Sequence, residues 1–194
     1  MSDNIIKIIK NKSKEIFPKE VVQKGNSRVF IDDNGYFFTI IEFQPTTLYK
    51  GCFLNVGVHF LFNKYEYIAF SYSEDNNIRV GKKFIKYIDD EQFANDILEY
   101  INLANIYIEK YRKLKNLEYA KNILIKSKMS LYEKAAICFL AEDEKLGNEY
   151  LKEYIESRKL KGMDCSEIKM SKNILENIIK EKREFWIKKH LIKE

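Results

Sequence analysis

The chain has 194 residues, 45% hydrophobic and 14% aromatic, with a formal net charge of +5. That is enough apolar material for one sizeable core, or for two small ones sharing an interface, and it excludes a disordered polar chain. With only 7 Gly and 2 Pro, long irregular linkers are excluded as well, and no stretch approaches the ~20 apolar residues of a membrane span.

The first element is a short amphipathic helix. Ile5, Ile6, Ile9, Ile16 and Phe17 fall on one face, and Pro18 and Gly25 end it. That face is expected against the sheet rather than on a membrane surface. The early acid and the lysines that break the apolar run argue against a secretory signal. Asn34-Gly35 is a strong hairpin signal. A two-residue Asn34-Gly35 loop would set Asp33 opposite Tyr36 and Ile31 opposite Phe38. A four-residue turn over DDNG would shift that register, and the sequence leaves both open. Residues 36–43 are apolar on both faces, which predicts a central strand covered on both sides; Pro45 stops it. Residues 52–62 alternate. Cys52, Leu54, Val56, Val58, Phe60 and Phe62 face one way, and Phe53, Asn55, Gly57, His59 and Leu61 the other. Asn63-Lys64 is expected to turn, YEYIAFSY to form another strand, and residues 78–88 to hold one more short, basic strand.

At Asp89 the period changes from 2 to 3.6. Asp89 or Asp90 caps a helix whose inward stripe is Phe93, Ile97, Tyr100, Ile101, Ala104, Ile108 and Tyr111. A further helix covers residues 117–125, and a Ser130–Glu133 capping box opens the next. Asp143 begins another, with Leu146, Tyr150, Leu151, Tyr154 and Ile155 inward and Gly162 after it. The last runs from about Ser171 with Ile174, Ile178, Phe185 and Trp186 as its stripe. Strands followed by helices predict an α+β fold: an N-terminal helix, a mainly antiparallel sheet over about residues 27–88, and a C-terminal helical part. Residues 1–88 and 89–194 are expected to pack as one globular unit.

Chemistry is sparse. The chain has no phosphate-cradling glycine loop, nucleophile elbow, HExxH or calcium loop. Cys52, Cys138 and Cys165 are far apart in sequence and far from His59 and His190. This lacks the close ligand pairs of a structural zinc site and suits the reduced thiols of a cytoplasmic protein. No metal and no cofactor is expected. If the strands around residues 38–44 and 53–59 are neighbours, parity puts Glu42, Gln44, Asn55 and His59 on one face, around a shallow recess at Gly57. Such a group could bind a polar ligand or partner, and a Glu-His pair could act as base and orienter. The plain alternative is a solvated sheet face that ties off loop backbone. Tyr65, Tyr67, Phe70 and Tyr72 could stack bases, but without alternating basic residues they read as core and edge filling, and Trp186 as packing.

Charge is uneven. Residues 89–156 carry 10 Lys and Arg against 14 Asp and Glu, and residues 157–194 carry 11 against 6. A basic tail can bind nucleic acid, but here acids interleave with the bases, as on a solvated helix face.

The order of a GxxR start, a strand ending in FQ, a glycine and a strand reading NxG resembles an uncharacterised bacterial family, domain of unknown function 4304. The matching residues are Gly25, Arg28, Phe43, Gln44, Gly51, Asn55, Val56 and Gly57, within about the first 70 residues. The resemblance implies an α+β bacterial domain without an assigned activity. Some such domains sit among toxin-immunity genes, which suggests a binding role. The expectation is therefore a non-catalytic binding protein, immunity-type or adaptor, whose partner is another protein. Two alternatives stand beside it: a nucleic-acid-associated protein using the basic C-terminal helix, and an enzyme using the Glu42, Gln44, Asn55 and His59 cluster.

Overall fold

A computed structural model describes residues 2–63 and 65–192. Helix α1 (Ser2–Ile16) precedes strands β1 (Val22–Gln23), β2 (Val29–Asp33), β3 (Phe37–Gln44), β4 (Gly51–Phe60) and β5 (Arg79–Lys86). Helices α2 (Asp90–Arg112), α3 (Leu117–Leu124), α4 (Leu131–Leu140), α5 (Glu144–Lys159) and α6 (Lys172–Lys188) follow. The sheet is antiparallel in the order β1-β2-β3-β4-β5, so the fold is α+β. Among the described residues after Asp89 the regular elements are all helical, and no helix is long and apolar enough to cross a membrane.

β3 is the middle strand, and its alternation feeds two cores. Phe37, Ile41 and Phe43, with Leu54, Val56, Val58 and Phe60 of β4, pack under the α2 stripe of Phe93, Ile97, Ile101, Ala104 and Ile108. Helix α1 lies against α2 and adds Ile5 and Ile9 to this core, while Phe17 meets Phe30 edge-on at 5.4 Å. On the other face Ile31, Phe38 and Leu61 meet Trp186, Leu191 and Ile192. Each of these large apolar side chains contributes about 1.5–3 kcal/mol on full burial, so the second core is closed by the end of α6 and the residues after it. Asp89 accepts from the Gln92 N–H at 2.8 Å and starts α2, and the Ser130–Glu133 capping box starts α4.

The hairpin register differs from the two-residue Asn34-Gly35 reading. Asp33 pairs with Phe38 and Ile31 with Ile40, and the Asn34 N–H donates to the Phe37 carbonyl at 3.0 Å. The loop is thus Gly35-Tyr36, with only Gly35 at positive φ (+87°), as in a type II′ turn. Asn34 is displaced from the loop because its side chain is used in the core, where Nδ2 donates to the Asp32 carbonyl, Asp32 Oδ2 and Thr39 Oγ1.

The segment YEYIAFSY forms no strand. Only Tyr72 bridges Val58, because Ala69 bonds the His59 ring instead of a strand and Phe70 turns over the sheet at Gly57. Tyr65 and Tyr67 are exposed rather than filling an edge. The expected turn at Asn63-Lys64 lies partly outside the described residues, since Lys64 is not among them. The α6 stripe is rotated from the expected one: Leu175 and Trp186 are its buried residues, whereas Ile174 is 38% exposed and Ile178 only half-buried. The helix packs on α4 at its start and on the sheet at its end, and no straight stripe serves both.

Gly35→Val is expected to lower stability by about 1–2 kcal/mol, because a β-branched residue resists positive φ. Chemical denaturation checks it, and an unchanged midpoint would contradict the turn geometry.

Candidate functional site

The β3–β4 register sets Glu42 opposite Asn55 and Gln44 opposite Phe53, and the β4–β5 register sets Asn55 opposite Arg79. All five side chains therefore share the second face of the sheet, in a row across three strands. Asn55 Nδ2 donates to Glu42 Oε2 at 2.9 Å and to Gln44 Oε1 at 3.0 Å. Arg79 Nη2 donates to the same Gln44 oxygen at 2.9 Å, and its guanidinium lies 3.9 Å above the Phe53 ring. Two acceptors fix the Asn55 amide, so Oδ1 points away from both. Asn55 is 1% exposed, and its Oδ1 is buried without a hydrogen-bond partner among the described residues. An unmet buried acceptor costs about 1–3 kcal/mol, and costs of that kind collect at functional positions.

Of the four residues expected to converge, three do. His59 is separate. Phe70 fills the expected recess at Gly57, where a Cβ would stand 2.7 Å from the Phe70 ring and 2.8 Å from the Tyr72 carbonyl. The ring thus lies over the strand position between Asn55 and His59. The imidazole is 1% exposed and packs beside Phe38 and Trp186, with Nδ1 against the Ala69 backbone, 2.9 Å from its oxygen. Glu42 bonds Asn55 instead, so the base-and-orienter pair does not form. Burial holds the His59 pKa below the ordinary imidazole range, and Lys182 adds to this, against the opposing hydrogen bond of the ring to the Ala69 carbonyl. Burial also pushes the Cys52 thiol up to about 12 and Cys138 up to about 11, so neither is a thiolate nucleophile at neutral pH. Among the described residues no group of three or more His, Cys, Asp or Glu side chains could hold a metal ion.

Sequence parity missed Arg79 and did not single out Phe53. Phe53 shares the Asn55 parity, so its place was available. Arg79 is on the row only through the pairing of β5 with β4, which skips across a bulge between Cys52 and Leu54 and leaves no local signal.

The Phe53 ring continues the row into an apolar strip. Phe84 lies 5.0 Å from Phe53, and Tyr49 6.5 Å from Phe84. In the β3–β4 loop Leu48 is 81% and Tyr49 62% exposed. The loop is pinned by Thr46, whose Oγ1 donates to the Tyr49 carbonyl at 3.0 Å and accepts from the Tyr49 N–H at 3.2 Å.

No protein-family model, no curated protein and no solved structure matches the chain. The N-terminal resemblance rests on its quoted residues alone, and several of these meet in space: Arg28 Nη1 donates to the Gly51 carbonyl at 2.9 Å, Gln44 bonds Asn55, and Gly57 admits Phe70.

His59 predicts a pH dependence. The unfolded chain takes up the proton near pH 6.5, as an ordinary imidazole does at about that value, while the folded chain resists it. The stability is therefore full above about pH 6.5 and is lost as pH falls from there toward the folded pKa. Melting temperatures between about pH 7.5 and 5.5 should fall more steeply for the wild type than for His59→Gln; parallel curves would contradict a buried neutral ring.

Proposed function

We propose that the protein is a cytoplasmic, non-catalytic binding protein of the immunity or adaptor kind, whose protein partner docks on the open end of the sheet's second face. The observation that carries this reading is the strip of exposed Leu48 and Tyr49 and half-buried Phe53 and Phe84, with Arg79 stacked on it. Tyrosine and arginine beside well-packed aromatics are the residue types on which interface energy concentrates. The Thr46 hydrogen bonds pre-order the loop, which lowers the cost of fixing Tyr49 in a complex. Beside the strip, the half-buried Glu42 carboxylate accepts, so the partner surface that fits brings hydrogen-bond donors. The resemblance to a family with members among toxin-immunity genes points the same way.

The two alternatives draw less support. An enzyme on the sheet cluster would need His59 beside Glu42, and Phe70 stands at the position between them. A nucleic-acid role would rest on the bases of α6, of which Lys172 already pairs with Glu142 at 2.5 Å and Arg183 with Asp33 at 2.5 Å.

The test uses the chain immobilised in native lysate, followed by titration of whatever protein is captured. Tyr49→Ala and Arg79→Ala are each expected to weaken that partner about 30-fold, as loss of a hot spot worth about 2 kcal/mol does, with melting unchanged because both side chains are exposed. Wild-type affinity in both variants would overturn the assignment of the face. Nucleic acid as the captured material, lost steeply with salt, would favour the alternative.

A further inference from the structure

The helical half holds a second hollow that the sheet site does not use. It is a groove of about 820 Å³ between α4, α5, α6 and the segment after β4, within the roughly 300–1,000 Å³ of small-molecule pockets. One wall is apolar. Ile174 and Ile178 of α6, which helical spacing would turn inward, face this groove instead, and Ile168 joins them. Folding therefore leaves apolar surface here that a ligand can cover. The opposite wall is aromatic, with the Tyr132 and Tyr154 rings 5.5 Å apart at 57°.

Arg158 supplies the polar group. Its Nη1 donates to the Tyr154 hydroxyl at 3.0 Å, and its guanidinium lies 5.5 Å from the centre of the Tyr154 ring. Its Nε is buried and has no hydrogen-bond partner among the described residues, and no carboxylate pairs with it there. Nη2 is the group that Tyr154 leaves free, and a charged N–H donor of this kind suits a carboxylate oxygen. The remaining charges, Asp164, Glu167 and Lys169, are exposed at the rim, where solvent screens them, and Asp164 already accepts from the Ser166 N–H at 2.9 Å.

We propose that this groove is a binding site for a small planar organic anion, an aromatic carboxylate whose ring lies between the isoleucine wall and the tyrosine pair and whose carboxylate meets the free Nη2 of Arg158. The site is independent of the protein-docking strip on β3–β5 and can fail or hold without it.

The test titrates the isotope-labelled full chain with 2-naphthoate and, separately, with the neutral 2-naphthamide, following backbone amide resonances. Saturable shifts are expected at Tyr132, Ile168 and Ile174, with naphthoate binding about tenfold more tightly than the amide, the gain of one charge-assisted contact. Arg158→Gln should bring naphthoate down to the level of the amide. Ile174→Glu, at an exposed position where the fold has little at stake, should weaken naphthoate by about tenfold through repulsion and keeps the test valid should Arg158→Gln fail to fold. Absence of saturable shifts, equal affinity for the two probes, shifts centred on Phe53 and Arg79, or indifference to Ile174→Glu would each overturn the proposal.

Discussion

Two adjacent carboxylates at the end of β2 tie both helical layers to the sheet. Successive strand residues point to opposite faces, so Asp32 and Asp33 look in opposite directions, and each takes an arginine from the helix that covers its side. Arg112, at the end of α2, grips Asp32 through Nε and Nη2 at 2.9 and 2.8 Å. Arg183 of α6 grips Asp33 at 2.5 and 2.8 Å and also reaches the Gly35 carbonyl. The two pairs are not equal. Asp32 is fully buried, and removing its partner would strand a charge at a cost of about 3–5 kcal/mol. Asp33 and Arg183 keep contact with water, so their pair contributes less to stability and more to where α6 sits.

That placement divides the second face of the sheet. From the Arg183 anchor, α6 runs its last turns over Phe38, Ile31 and Leu61, with Trp186 as the central side chain, and His59 is sealed beneath as a neutral packing residue. Phe70 closes the middle over Gly57. What remains is the end bearing Glu42, Gln44, Asn55 and Arg79, where hydrogen bonds among side chains replace a helix. The polar row and the aromatic strip are thus the part of a two-sided sheet that no described helix covers, and this is why the functional reading falls on them.

Much of this was legible in the sequence where the signal is local. The period-2 alternation of residues 52–60 and the single parity of residues 38–44 put Gln44 and Asn55 on one face, and the helical stripe of α2 is buried at each of its seven expected positions. The sequence falls short where a side-chain contact or an irregular pairing overrides the repeat. Asn34 left the hairpin loop because Asp32 and Thr39 use its amide. His59 left the cluster because Phe70, eleven residues further on, lies over the strand between them. Arg79 joined it through a bulged pairing. Ile174 and Ile178 turned out of the core because α6 has to satisfy α4 and the sheet at once, which leaves them lining a groove.

Hydroxyl-radical footprinting of the native chain tests the division of the face most directly. The same two strands carry both environments, so relative oxidation rates separate them within one experiment. Tyr49 and Phe53 should oxidise readily, while Phe38 and Trp186 stay protected, although an exposed indole is the more reactive target. Trp186 oxidising as fast as Tyr49 would mean that α6 does not seal the sheet, and the open end would then hold no special claim to be the binding face.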